Sequence, residues 1–153
     1  MEVSVDNHWR MPEKIDAILA DLLAETGASR VTLRRDLPGD YAFPVTNEAL
    51  APGVGSLRDE HTVDLRTQPV ALEVAAGRQV VQDDSATAFD DPAFHRMRAI
   101  YGGLAAQIVT PVARDGGGVA GIVSVHQLGS PRRWTEAEVD ACRKAAASLG
   151  ELL

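Results

Sequence analysis

Thiols are nearly absent from this chain of 153 residues, in which Cys142 is the one cysteine. A single thiol cannot close an internal disulfide, and it excludes any mechanism that needs two. Positive charge is also in short supply, with 15 Lys and Arg against 22 Asp and Glu and a formal net charge of −7. Charge of that sign leaves no electrostatic footprint for wrapping phosphates, so direct nucleic-acid binding is not expected. No apolar run approaches the roughly 18 residues of a membrane-spanning helix. Met1–Arg10 is polar with no signal-peptide core, and the expectation is a cytoplasmic protein with no membrane partner. Aromatic residues make up only 5%, so the places where they gather carry information.

What is present is a periodic chain. Hydrophobic residues at 45% and charged residues at 24% suffice to bury one core, and a single domain over 12–153 behind a flexible N-terminus at 1–11 is expected. From Pro12, the residues Ile15, Ile18, Leu19, Leu22 and Leu23 repeat at helical spacing as far as Gly27, a helix stop. Val31 and Leu33 alternate with Thr32 and Arg34, and Pro38–Asp40 reads as a turn into a second strand, Tyr41–Val45, which Pro44 assigns to a sheet edge. Over Thr46–Leu65 the periodicity is too weak to assign an element. The spacing then predicts a short helix at Thr67–Ala76, a brief strand at Gln79–Gln82 and a helix near Asp91–Tyr101. Leu104–Arg114 and Val119–Leu128, joined through Gly116-Gly-Gly118, form a hairpin at the centre of the sheet. Thr135 and Glu138 make a capping box for a last helix, along which Val139, Cys142, Ala146, Leu149 and Leu153 fall at 3-4 spacing. The strand connections are too short for parallel crossovers, which gives an α+β class: a central antiparallel sheet of about five to six strands sandwiched by helices.

The order of these landmarks, from the helix at Pro12–Thr26 into Val31–Arg34, through Val74–Asp83, to the hairpin and Pro131–Glu138, resembles the GAF domain family over nearly the whole chain. The resemblance implies a GAF/PAS-like fold. In that family the first and last helices pack on one face of the sheet and often build a dimer, while the middle helices cover the other face and enclose a small-molecule pocket. The expected function is accordingly a sensory or regulatory domain, not an enzyme. It would bind a small organic ligand non-covalently, signal through a homodimer of terminal helices, and hand its signal to a downstream regulatory protein. A ligand-free dimerisation or protein-interaction scaffold is the alternative.

Candidate site residues follow from composition and placement. Phe89, Phe94, His95, Met97 and Tyr101 concentrate two of the 3 phenylalanines and one of the 2 tyrosines in one lid-like stretch, although a helix packed on a sheet needs apolar residues anyway. Gln107, Thr110, Ser124 and His126 are polar positions in otherwise apolar central strands, where a ligand could supply the partner that burial demands. Phe43 is a further candidate wall. Cys142 lies at a core-type position among alanines and reads as an inert packing residue.

The bilin and haem chemistries known in the family, and metal or phosphate sites in general, find little here. Covalent bilin attachment needs a pocket cysteine beside a histidine, and His95 has no cysteine neighbour. A haem-binding gas or redox sensor remains a lesser alternative through His95. No two of the four histidines lie at i, i+3 or i+4, and Asp83, Asp84, Asp90 and Asp91 lack the alternation of a calcium loop, so no metal site is expected. The glycines at 116–118 precede a strand, whereas phosphate loops feed a helix.

Overall fold

The computed structural model describes residues 10–37, 43–65 and 68–153. Helix α1 spans Met11–Thr26 and strands β1 and β2 span Arg30–Arg35 and Val45–Leu50. Helix α2 (Pro69–Ala75), strand β3 (Val80–Gln82), a 3-10 turn (Ser85–Thr87) and helix α3 (Pro92–Ile100) follow. Strands β4 (Leu104–Ala113) and β5 (Val119–Leu128) lead to helix α4 (Glu136–Leu152). The five strands form one antiparallel sheet in the order β2-β1-β5-β4-β3, so the long β4–β5 hairpin occupies its middle and β2 and β3 its edges.

Local chemistry explains the boundaries. Gly27 takes the left-handed conformation (φ 61°) and donates its N–H to the Leu23 carbonyl, ending α1 without a Cβ penalty. Gly116, Gly117 and Gly118 all have positive φ, and this lets the chain reverse between β4 and β5. Thr135 accepts from the Glu138 N–H while Glu138 accepts from the Thr135 N–H, the expected capping box. Among the acidic residues between β3 and α3, Asp84 and Asp91 are helix caps and Asp83 holds a backbone N–H of the segment before α4. Asp84 accepts from the Ala86 N–H, Asp91 from the Ala93 and Phe94 N–H groups, and Asp83 from the Trp134 N–H.

One element lies elsewhere than the sequence pattern suggests. The second strand runs over Val45–Leu50, all but its first residue within the stretch that showed no clear period, and Pro44 precedes it. Its burial alternates only at Val45 and Asn47, and Asn47 donates to Asp16 of α1, so a polar residue takes the place that an apolar one would mark. The proposed turn at 38–40, the first two residues of the strand expected at 41–45 and the N-terminal segment at 1–9 lie outside the described residues, while α1 itself begins at Met11.

The sheet separates two cores. On one face α1 and α4 bury Ile15, Leu19, Leu22, Cys142, Ala146 and Leu149 against Val31, Leu33, Ile108, Val123 and Val125. The apolar stripe of α4 is therefore covered by the chain's own sheet. Arg132 lies over the Trp134 ring at 4.3 Å, bonds the Thr26 carbonyl and pairs with Glu138, tying the start of α4 to the end of α1. On the opposite face α2 and α3 bury Val70, Val74, Phe94 and Met97 against Leu104, Val109 and Ile122. No helix among the described residues is long and apolar enough to cross a membrane.

Candidate functional site

Alternation along β1 sets the character of the second face. Val31 and Leu33 point into the α1/α4 core, so Arg30, Thr32 and Arg34 share the other side, and all three are buried beneath the middle helices. The register brings Arg30 beside His126, Thr32 beside Ser124 and Arg34 beside Ile122 on β5, while Gln107 of β4 lies opposite His126. Arg30, Thr32, Arg34, Gln107, Ser124 and His126 therefore share this one face.

Arg30, Arg34, His126 and Tyr101 form a hydrogen-bond cluster. Arg30, only 1% exposed, donates through Nε to His126 Nδ1 (3.1 Å), through Nη1 to the Gly55 carbonyl (3.0 Å) and through Nη2 to the Tyr101 carbonyl (2.7 Å). Arg34 donates to the Phe43 carbonyl (3.1 Å) and to the Tyr101 hydroxyl (2.8 Å). The Tyr101 ring stacks on His126 with centroids 5.6 Å apart. Because His126 Nδ1 accepts from a guanidinium, its proton sits on Nε2, and burial followed by the charges of Arg30 and Arg34 holds the ring well below its ordinary pKa. Burial lowers the pKa of Arg30 and raises that of the Tyr101 phenol.

Above this cluster sits a small cavity of about 50 Å³ whose walls include Thr32, Arg34, Gln68, Met97, Tyr101, Gln107, Ser124 and His126. That is room for water, not for an organic molecule. Leu65, Ala71 and Ile122 also border a larger groove of about 440 Å³, completed by Phe43, Leu72, Ala75 and Val119. The groove has the size of a small-molecule site and, among the described residues, no charged side chain in its lining. Phe43 joins the two spaces: its side chain lines the groove while its carbonyl accepts from Arg34. It does so at φ 52°, a left-handed conformation that costs a bulky residue on the order of 1–3 kcal/mol.

The sequence candidates divide accordingly. Met97, Tyr101, Gln107, Ser124 and His126 surround the small cavity, and Phe43 lines the groove. Phe94 is fully buried core, with Phe89 packed edge-on against it at 5.1 Å. His95 is half-buried on α3 beside Arg98 (3.2 Å) and lines neither space. Thr110 is a correction to the expected placement. It pairs with Val123 in the register, on the α1/α4 side, and accepts from Gln79 Nε2 at 3.0 Å. The odd-numbered Gln107 and Val109 face the cavity, and one residue of offset reverses the face. Arg30, Thr32, Arg34 and Gln68 were not among the candidates. The Arg-Val-Thr-Leu-Arg alternation was the available signal, but it does not say whether the polar side of a strand meets solvent or a second layer.

Haem does not fit these residues. His95 lines neither space, and the His126 ring is held by the Arg30 guanidinium and stacked on Tyr101. Cys142 belongs to the opposite core, where burial pushes its thiol up to about 12. Among the described residues no group of three or more His, Cys, Asp or Glu is placed to hold a metal ion.

The GAF domain model matches residues 11–153. No functionally curated protein matches at the sequence level. Solved structures with the same fold include GAF3 from Slr1393 of Synechocystis sp. PCC6803 in its photoproduct state, at 20% identity and a TM-score of 0.73, covering 92% of this chain and 91% of that one. The blue-light absorbing form of the Thermosynechococcus elongatus PixJ GAF domain is 22% identical with a TM-score of 0.67, covering 95% and 90%. A phycocyanobilin-bound GAF domain from a cyanobacterial phytochrome is 18% identical with a TM-score of 0.75, covering 98% and 90%. A family model that spans all the described residues but the first, on a sheet carrying helices on both faces in the expected order, establishes that the chain belongs to the GAF domain family.

Proposed function

We propose that this GAF domain is a sensory module that binds a small organic ligand non-covalently, without turning it over, in the groove beside α2. The observation that carries this reading is the junction of an apolar groove of about 440 Å³ with a buried polar cluster on the same sheet face. The phycocyanobilin-bound relative illustrates a ligand-binding GAF domain. A thioether-linked bilin does not suit this chain, whose one cysteine sits in the core on the opposite side of the sheet.

Occupancy reaches the terminal helices through β1 and β5, since the strands that hold Arg34 and Ser124 towards the site hold Leu33 and Val123 against α1 and α4. The α4 stripe is spent on the internal core. A homodimer of terminal helices would therefore use their outer surface, where Ile18, Asp21 and Glu25 of α1 flank Lys144, Ala145 and Ser148 of α4. A downstream regulatory protein, meeting the dimer in the cytoplasm, completes this reading.

A ligand-free scaffold is favoured by a different observation: the enclosed volume is only about 50 Å³ and the arginines beneath it already have partners. Native mass spectrometry of the purified protein against its denatured mass, with an absorption scan, separates the two. A non-covalent excess mass supports the sensor. The bare polypeptide mass, followed by a metabolite thermal-shift screen without a hit, overturns it in favour of the scaffold.

A further inference from the structure

We infer that the ligand of this site is an apolar molecule ending in a single carboxylate, with the carboxylate directed at Arg34 and the body lying in the groove. This rests on the reading of cavity and groove as a ligand site.

Charge balance is the starting point. A guanidinium stays protonated in a protein, and burying one is costly unless an anion compensates it. Arg30 and Arg34 sit four residues apart on the same face of β1, both buried, and all five hydrogen bonds described for them end on neutral acceptors. Among the described residues, no carboxylate lies within ion-pair distance of either. Glu48, whose field reaches Arg30, is already held by Arg58 at 3.6 Å, by the Ser56 hydroxyl and by the Leu57 N–H. Glu60, near Tyr101, is occupied by Thr62 and the Val63 N–H.

The two arginines have different work. Arg30 has three bonds and does not border the cavity, whereas Arg34 does border it and spends its two described bonds on the Phe43 carbonyl and the Tyr101 hydroxyl. Both of those partners can yield to a carboxylate, which accepts from a guanidinium in two parallel bonds. Thr32, Ser124 and the Tyr101 hydroxyl offer further donors at the same end. Gln68 Oε1, in a residue 4% exposed on the cavity wall, has no hydrogen-bond partner, and a water accompanying the headgroup supplies the donor it lacks.

The other end of the site specifies the body. Phe43, Leu65, Leu72, Val119 and Ile122 line the groove, and Leu72 is 62% exposed although it sits between buried Val70 and Val74. An apolar chain or ring laid there covers Leu72, while a second charge on that part of the molecule would meet no counter-charge among the described residues of the lining.

Isothermal titration of the purified protein with 4-phenylbutyrate, 4-phenylbutan-1-ol and 4-phenylbutylamine tests the inference, since the three share one body and differ in the charge of its end. The expected order is carboxylate tightest, by about tenfold to a hundredfold over the alcohol, with the amine weakest. Arg34→Gln should erase the preference while leaving alcohol binding in place, and Arg34→Lys should keep part of it. Equal affinity for all three probes overturns the carboxylate inference and leaves the groove as a ligand site. Absence of binding by all three overturns both. If Arg34→Gln does not fold, the order of the probes on the unmodified protein and on Arg34→Lys still decides.

Discussion

The two faces of one sheet are built to opposite specifications. Towards α1 and α4, β1, β4 and β5 present Val31, Leu33, Ala106, Ile108, Val112, Val123 and Val125, with helices that answer in Ile, Leu, Ala and Cys. Towards α2 and α3 the same strands present Arg30, Thr32, Arg34, Gln107, Ser124 and His126 among a few apolar residues. The first arrangement gains from removing apolar surface from water. The second gives up part of that gain, because each buried polar group must be matched by another. Specificity for a ligand is a reason to accept that loss, and stability alone is not.

Breaking the dry face should have the largest effect. Leu149 is fully buried between α4 and the sheet. Leu149→Asp places a charge where no partner exists and should abolish folding, while Leu149→Ala should cost about 2–5 kcal/mol by urea denaturation. A near-neutral Leu149→Ala would mean that α4 is not packed as described. On the polar face, Arg30→Ala strips donors from His126 Nδ1, Gly55 and Tyr101 and should cost about 3 kcal/mol. An unchanged melting curve would show that the cluster serves binding alone.

Acid should act mainly through the polar face. His126 is held below its ordinary value of 6.5 by burial and by Arg30 and Arg34, with the Tyr101 ring stacked on it. The unfolded chain therefore binds a proton that the folded chain refuses once the pH drops under 6.5. Stability from this group is present above that value and is lost below it, with a slope of at most about 1.4 kcal/mol per pH unit. His126→Gln should flatten that part of a stability-against-pH curve, and an identical slope would assign the acid sensitivity elsewhere. The smallest effect belongs to Thr135→Ala, which removes the cap of α4 and should cost about 1 kcal/mol in the same denaturation experiment.

Much of the architecture was legible in the sequence because each signal was local. Gly27, the glycines at 116–118 and the Thr135/Glu138 pair act within a turn of themselves, and the helical spacing in 12–26 needs only a partner surface. The β2 strand was not legible, because Asn47 is buried through a hydrogen bond to α1 and so breaks the apolar alternation. Of the site, the polar residues in the apolar strands β4 and β5 stood out, yet Thr110 could not be separated from Gln107 without the register. Thr32 and Arg34 stood only as the residues alternating with Val31 and Leu33, a pattern that does not say what covers them.

The family, the element order and the chemistry available to the chain, including the placement of its one thiol on the last helix, were determined by the sequence itself. Which apolar stripe meets the sheet, which strand face is covered twice, and therefore that Arg30, Arg34 and His126 are buried together beside an apolar groove, only the tertiary structure decided. The physical reason is that periodicity specifies which residues share a side, whereas burial depends on what arrives from elsewhere in the chain to cover it.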